Sequence, residues 1–363
     1  MKVAIVLPGP LSFRGGAEVW SVEVADRLRR KGWKVTFFLP EVSEEDVRIA
    51  RDHGVKAYKS LIYNFLKHIN KLNFFPPMIP YNRELDNFDI VYTTSMQPIR
   101  ILMKCKTKLI VGTHDAFLSN RKLGIDSFQT ISRLAMRVSG AMLSVHALSK
   151  VVEGKFNLPK ERFFTVPNFI PGAKCNVMDT NEFRIVFLGR VEKRKGADVL
   201  IKISNLFKEK PGFYIDIAGS VPQSYIPIMN SLSKVSNIRV LGRVGEYEKF
   251  KILQNSSLLI FLSSRDVFPF VMLEALSCGL PIVTTWKFAK ASFQTYGITE
   301  CKPNVTDIES EIRKHHKKWS QDRGNYFDVK KRIQSEAFRK YDKEKIMESI
   351  LDMFIKGCER GSE

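Results

Sequence analysis

The sequence predicts an α/β protein made of two doubly wound parallel sheets, and three observations carry that reading. Short apolar runs alternate with helix-like patterns. A stretch bearing two prolines and a glycine interrupts the alternation once, and the same grammar then restarts. At 363 residues the chain is too long for one ordinary core and suits two domains of roughly 150–200 residues each.

KVAIVLP (2–8) opens the first half as a buried strand. It is too short for a signal peptide and lacks a small-residue cleavage site, so the expected compartment is the cytosol. A Gly-bearing loop follows, then a helical pattern from Ala17 to about Arg30, Gly32 as its stop, and the strand KVTFFLP (34–40). Further runs at DIVYTTS (89–95), KLIVGTH (108–114) and AMLSVHALS (141–149) are spaced widely enough for crossover helices, which favours parallel pairing. VPNFIPG (166–172) reads as the linker. Beyond it come FRIVFLG (183–189), FYIDIAG (213–219), NIRVLGR (237–243), SLLIFLSS (257–264) and LPIVTT (280–285). The expected domains are therefore 1–172 and 173–341. A last helix at about 342–358, with apolar Ile346, Ile350, Leu351 and Phe354, needs a groove and is expected to pack back on the first domain. Open parallel sheets bind ligands beyond the carboxyl ends of their strands, so two of them facing one another imply an interdomain cleft.

Composition narrows the partners. The formal charge is +20, and residues 51–137 hold 14 Lys and Arg against 6 Asp and Glu, which points to an anionic partner: nucleic acid, anionic lipid or a phosphorylated substrate. No recognition-helix, zinc-finger or RNP-type pattern is present, so nucleic acid is not the expected one. Five scattered cysteines without a CxxC pair argue against a disulfide framework or a zinc site. No apolar stretch approaches the roughly 20 residues of a membrane-spanning helix. His315 and His316, in a Lys-rich helical stretch, read as a solvated face.

Three stretches can carry chemistry. GPLSFRGGAEVW (9–20) lies between the first strand and its helix, where amides and the positive helix end can receive an anion; Gly15 and Gly16 would allow close approach, and a plain tight turn explains them equally. In FLGRVEKRKGADVLI (187–201) Arg190, Lys193, Arg194 and Lys195 gather where a strand gives way to a helix. That is a seat for phosphate, or else a solvated basic turn. SSRDVFPFVMLEALSCGLPIV (263–283) places Asp266 in a loop and Glu274 early in a short helix stopped by Gly279 and Pro281. An Asp there also suits a cap and a Glu a first turn. His114, at a strand end, reads as a structural or a catalytic histidine.

Taken together, GGAE (15–18), VPNFI (166–170), GRVEKRKG (189–196) and DVFPFVMLEALSCGLPIV (266–283) resemble the retaining nucleotide-sugar glycosyltransferases of family four, over nearly the whole chain. The last stretch is similar to that family's E-x7-E element, with Asp first and Glu second. The resemblance implies the GT-B fold and transfer of a hexose from a nucleotide-diphosphate sugar with retained configuration. It further implies that Glu274 binds the donor ribose, Arg190 and Lys195 its diphosphate, and Gly16 the diphosphate from across the cleft. Leu241 and Val271 would line the base and sugar pockets, His114 would lie near the transferred sugar, and Asp266 would hold sugar hydroxyls.

No D-x-D motif appears, so neither a bridging metal nor another cofactor is expected. LIYNFLKHINKLNFF (61–75) carries an apolar face opposite Lys67, His68, Asn70 and Lys71, which suits either an anionic membrane surface or a cover for the first sheet. A lipid-linked or glycan acceptor at the cytosolic membrane face is the corresponding expectation. A catalytically silent nucleotide-sugar or glycan binder is the alternative, and a basic nucleic-acid binder the more distant one.

Overall fold

The computed structural model describes residues 1–59, 83–94, 106–112, 140–143, 163–172, 175–264 and 266–359. The chain divides into two compact units, Met1–Asn168 with Glu344–Glu363, and Phe169–Lys343. The division falls inside VPNFIPG, at Asn168 rather than at 172.

Unit 1 holds β1 (Lys2–Val6), α1 (Gly16–Arg30), β2 (Lys34–Leu39), α2 (Glu44–Asp52), β3 (Lys56–Lys59), β4 (Ile90–Thr93), β5 (Lys108–Gly112), β6 (Gly140–Leu143) and β7 (Phe163–Thr165). Its sheet runs in the order β3-β2-β1-β4-β5-β6-β7 with every pairing parallel. β1 is central, Val3 lying beside Val35 on one side and Ile90 on the other, and its Val3, Ala4, Ile5 and Val6 are wholly buried. A strand covered on both faces must be apolar at every position rather than at alternate ones, which is why KVAIV reads as a continuous run. KAYK of β3 sits at the sheet margin and is largely exposed. α1 matches its dipole, with Glu18 in the first turn and Arg27, Arg29 and Arg30 in the last. α2 opens with a reciprocal cap between Ser43 and Asp46.

Unit 2 holds β8 (Phe183–Leu188), α3 (Ala197–Phe207), β9 (Phe213–Ala218), α4 (Ile226–Leu232), β10 (Ile238–Gly242), α5 (Glu246–Gln254), β11 (Leu258–Phe261), α6 (Phe270–Ser277), β12 (Ile282–Thr284), α7 (Ala289–Phe293), β13 (Ile298–Glu300), α8 (Val305–Gln321) and α9 (Arg323–Tyr341). The order β10-β9-β8-β11-β12-β13, again parallel throughout, reverses direction between β8 and β11. Both units are thus Rossmann-like. Buried Asp216 of β9 ties three strands, receiving Arg184 of β8 at 3.0 Å and two bonds from Arg239 of β10 at 2.7 and 2.6 Å. Asn304 caps α8 and Asp322 caps α9 through side-chain oxygens.

The expected solvated face at His315 and His316 is corrected by this packing. His316 stacks on Phe213 with ring centroids 4.2 Å apart, and His315 Nδ1 lies 3.4 Å from the Tyr326 hydroxyl. Burial, with Lys318 beside it, pulls the His315 imidazole down to about 4. A polar helix can still turn its histidine rings inward when aromatic residues cover their flat faces. The four cysteines among the described residues are free; Cys105 lies outside them.

α10 (Lys343–Glu359) closes the chain and belongs to unit 1. It buries Ile346, Met347, Ile350, Leu351, Met353 and Phe354; the Phe354 ring meets those of Tyr92 and Trp33, and Arg27 of α1 pairs with Glu344 and Glu348. Among the described residues no helix is long and apolar enough to cross a membrane.

Candidate functional site

The reversal between β8 and β11 marks where a ligand should bind in unit 2, because the loops leaving the two strands diverge to opposite faces and open a crevice between them. Those loops are 189–196 and 262–269. They carry the basic run and the first carboxylate singled out from sequence.

Their contact is specific. Lys195 Nζ reaches both oxygens of Asp266, at 2.7 and 2.8 Å, with the two side chains 20% and 16% exposed. Ser264 N, before Asp266, donates to the Arg194 carbonyl at 3.2 Å. Gly196 makes the approach possible: its φ is +85°, and a Cβ there would stand 2.6 Å from the Leu262 carbonyl oxygen. A left-handed residue with a side chain costs roughly 1–2 kcal/mol before any clash is counted. Gly196→Ala is therefore expected to part the two loops and lower the melting temperature of unit 2 by several degrees; unchanged melting, followed by circular dichroism, would contradict the packing argument.

Glu274 sits one turn into α6, with a side chain only 7% exposed. Lys249 Nζ of α5 lies 2.7 Å from its Oε1 and, on the other side, 2.7 Å from Glu246 Oε2. Burial pushes the Glu274 carboxyl up, and the Lys249 charge offsets only part of that rise. Burial alone would pull the Lys249 ammonium down, yet Glu274 and Glu246 together hold it above its ordinary value. Sequence reasoning misses Lys249. The signal is present, because Lys249 precedes buried Ile252 and Leu253 by three and four positions and so shares their stripe on the helix.

The remaining candidates fall as follows. Arg190 projects outward, 59% exposed, with Glu192 its nearest carboxylate at 3.5 Å. Leu241 is half-buried at the carboxyl end of β10, and Val271 half-buried in the first turn of α6. The structure thus joins Lys195 to Asp266, while Glu274 is joined to Lys249 instead. α3 and α6 both begin at this end of the sheet, so their positive ends add to the cations there.

In unit 1, Gly15 and Gly16 are exposed at the start of α1, at the carboxyl end of β1. Ser12 N donates to buried Asp46 at 2.8 Å, which pins the loop to α2. A Cβ at Gly15 would stand 2.5 Å from Glu18 Oε2, so the glycine accommodates the chain's own carboxylate beside these amides. His114 and the stretch 61–75 lie outside the described residues. A cavity of about 600 Å³ opens elsewhere in unit 2, where Pro281, Tyr296, His315 and Tyr326 line it near the amino ends of β12 and β13. None of the predicted residues borders it.

Comparison with known proteins bears on both units. Residues 14–172 match the model for glycosyltransferase family 4, and residues 174–292 that for glycosyl transferases group 1. An uncharacterized glycosyltransferase of Methanocaldococcus jannaschii is 23% identical over 300 residues, covering 74% of this chain and 72% of that one. A phosphatidyl-myo-inositol mannosyltransferase of Propionibacterium freudenreichii is 24% identical over 311 residues, covering 78% and 76%. Among solved structures, HepE of Anabaena in complex with UDP and glucose superposes with a TM-score of 0.73 at 16% identity, covering 98% of this chain and 99% of its own.

Proposed function

We infer the reaction from a membership: this chain belongs to glycosyltransferase family 4, of the GT-B fold, and is a glycosyltransferase. The proposed reaction moves a hexose from a nucleotide-diphosphate sugar to an acceptor with retained anomeric configuration. The observation that carries this reading is the Lys195–Asp266 pair at the strand-order reversal of unit 2. An ammonium has three N–H groups; Asp266 takes two, which fixes the side chain and leaves the third for a phosphate oxygen. Breaking the bond from the anomeric carbon to the diphosphate oxygen builds negative charge on the leaving group. Lys195, Arg190 and the positive end of α3 would stabilise that charge. Glu274 would accept the ribose hydroxyls, Asp266 would hold sugar hydroxyls, and Leu241 and Val271 would flank the base and sugar. Gly15, Gly16 and His114 keep the roles that the family resemblance implies. HepE was solved with UDP and glucose, which supports a nucleotide sugar as donor.

Transfer in this reading needs no metal, since cations of the chain serve the leaving group. For the acceptor we propose a lipid-linked glycan at the cytosolic membrane face. The net charge of +20 and the relative named for phosphatidyl-myo-inositol support it. The test supplies labelled nucleotide hexoses and a polyisoprenyl- or diacylglycerol-linked acceptor in anionic vesicles, with and without EDTA. Expected are release of nucleoside diphosphate, a product whose anomeric configuration by NMR equals the donor's, and equal rates in chelator. An inverted product, or a rate lost in EDTA and restored by manganese, would contradict the mechanism. Donor binding without turnover would favour the silent binder.

A further inference from the structure

Lys249 grips Glu274 and has no part in the donor reading, and the role inferred for it rests on that reading. The Glu274 side chain is only 7% exposed, on a helix whose Met272, Leu273, Ala275 and Leu276 are buried as well. A charge in such surroundings is sustained only by a partner, and its partner is Lys249, held from the solvent side by Glu246, whose side chain is 61% exposed. The other titratable groups nearby are Cys278 just after α6, Cys175 from the segment before β8, and Lys330 of α9, on which Cys278 acts. None of these brings a second positive charge to Glu274 itself, and Glu246 pushes its carboxyl further up.

The ionisation state decides what Glu274 can do. Ionised, it only accepts and can take both hydroxyls of a ribose; protonated, it turns one oxygen into a donor and gives up that pairing. Bonds to a charged acceptor are also about twice as strong as neutral ones. We propose that Lys249 is a positioning residue of the donor site: by gripping Oε1 it keeps the buried Glu274 charged and fixed, and so gives this protein a preference for a ribonucleoside over a 2′-deoxyribonucleoside diphosphate.

Calorimetric titration with UDP, ADP, GDP and CDP, each beside its 2′-deoxy counterpart, tests this on the full chain. In the wild type one ribonucleotide should bind at least about tenfold tighter than its deoxy form. In Lys249→Met the ratio should fall to about threefold or less near pH 7 and recover as the pH is raised and Glu274 ionises, whereas Lys249→Arg should retain it. The Glu274 carboxyl, followed by 13C NMR, should titrate higher in Lys249→Met. The double variant K249M/E274Q leaves no unpaired buried charge, controls for folding, and should bind both sugars alike. A K249M protein with the wild-type ratio at every pH overturns the inference, as does a lost ratio with Glu274 titrating as in the wild type, or a full ratio in E274Q. If wild type binds none of the nucleotides, the donor reading falls and takes the inference with it.

Discussion

A chain ending at Lys343 is expected to lose folded unit 1 while unit 2 survives. α10 supplies Ile346, Met347, Ile350, Leu351, Met353 and Phe354 to the interior of unit 1, each buried to 5% exposure or less. Full burial of one such side chain is worth about 1.5–3 kcal/mol, and a whole domain is stable by only about 5–15 kcal/mol, so losing even half of them leaves little. The loss is sharpened at Gly357, where a Cβ would stand 2.6 Å from Ile110 Cδ1, so the helix lies directly on β5. The Arg27 pairs with Glu344 and Glu348 are partly exposed and add little. Limited proteolysis read by mass spectrometry should show cleavage across 1–168 at least about tenfold faster, with 169–343 protected as before. Equal protection of both units would refute the assignment of α10 to the core of unit 1.

Lys195→Ala is expected to lower kcat/KM for the sugar donor by about a hundredfold, equivalent to about 3 kcal/mol. The substitution removes a cation already fixed by two bonds to Asp266, so little side-chain entropy remains to be lost when a phosphate arrives. It also strips Asp266 of its ion-pair partner in a partly buried loop, which adds electrostatic repulsion toward an anionic donor. Arg190→Ala should cost less, because Arg190 is 59% exposed and must be ordered on binding. Initial rates at subsaturating donor decide the matter. A Lys195→Ala enzyme within threefold of wild type, or one less impaired than Arg190→Ala, would remove Lys195 from the leaving-group site.

How much of the fold is legible in the sequence depends on where each signal originates. Central strands such as β1 and β11 are buried on both faces, and their apolar runs are local and visible. β3, β7 and β13 escape such a reading. Each has only three or four residues and lies at a sheet margin, and KAYK and ITE carry no run of their own; their pairing is settled by neighbours. The same division holds at the site. Lys195 and Asp266 announce themselves by standing at strand ends in recognisable stretches. Lys249 does not, since a lysine in a helix beside two glutamates looks like surface until the buried stripe through Ile252 and Leu253 is followed back to it. His315 and His316 mislead for the reverse reason: lysines surround them in sequence, while Phe213 and Tyr326 cover them in space.

The split make-up of unit 1 bears on the order of events at the ribosome. Unit 2 is one uninterrupted stretch and emerges whole, whereas the first sheet to be synthesised must wait for the helix made after unit 2 before its hydrophobic surface is closed. During that interval the nascent amino-terminal half exposes the seat of Phe354 to chaperones and proteases alike. Late frameshifts and stop codons should therefore harm the beginning of the protein more than its middle.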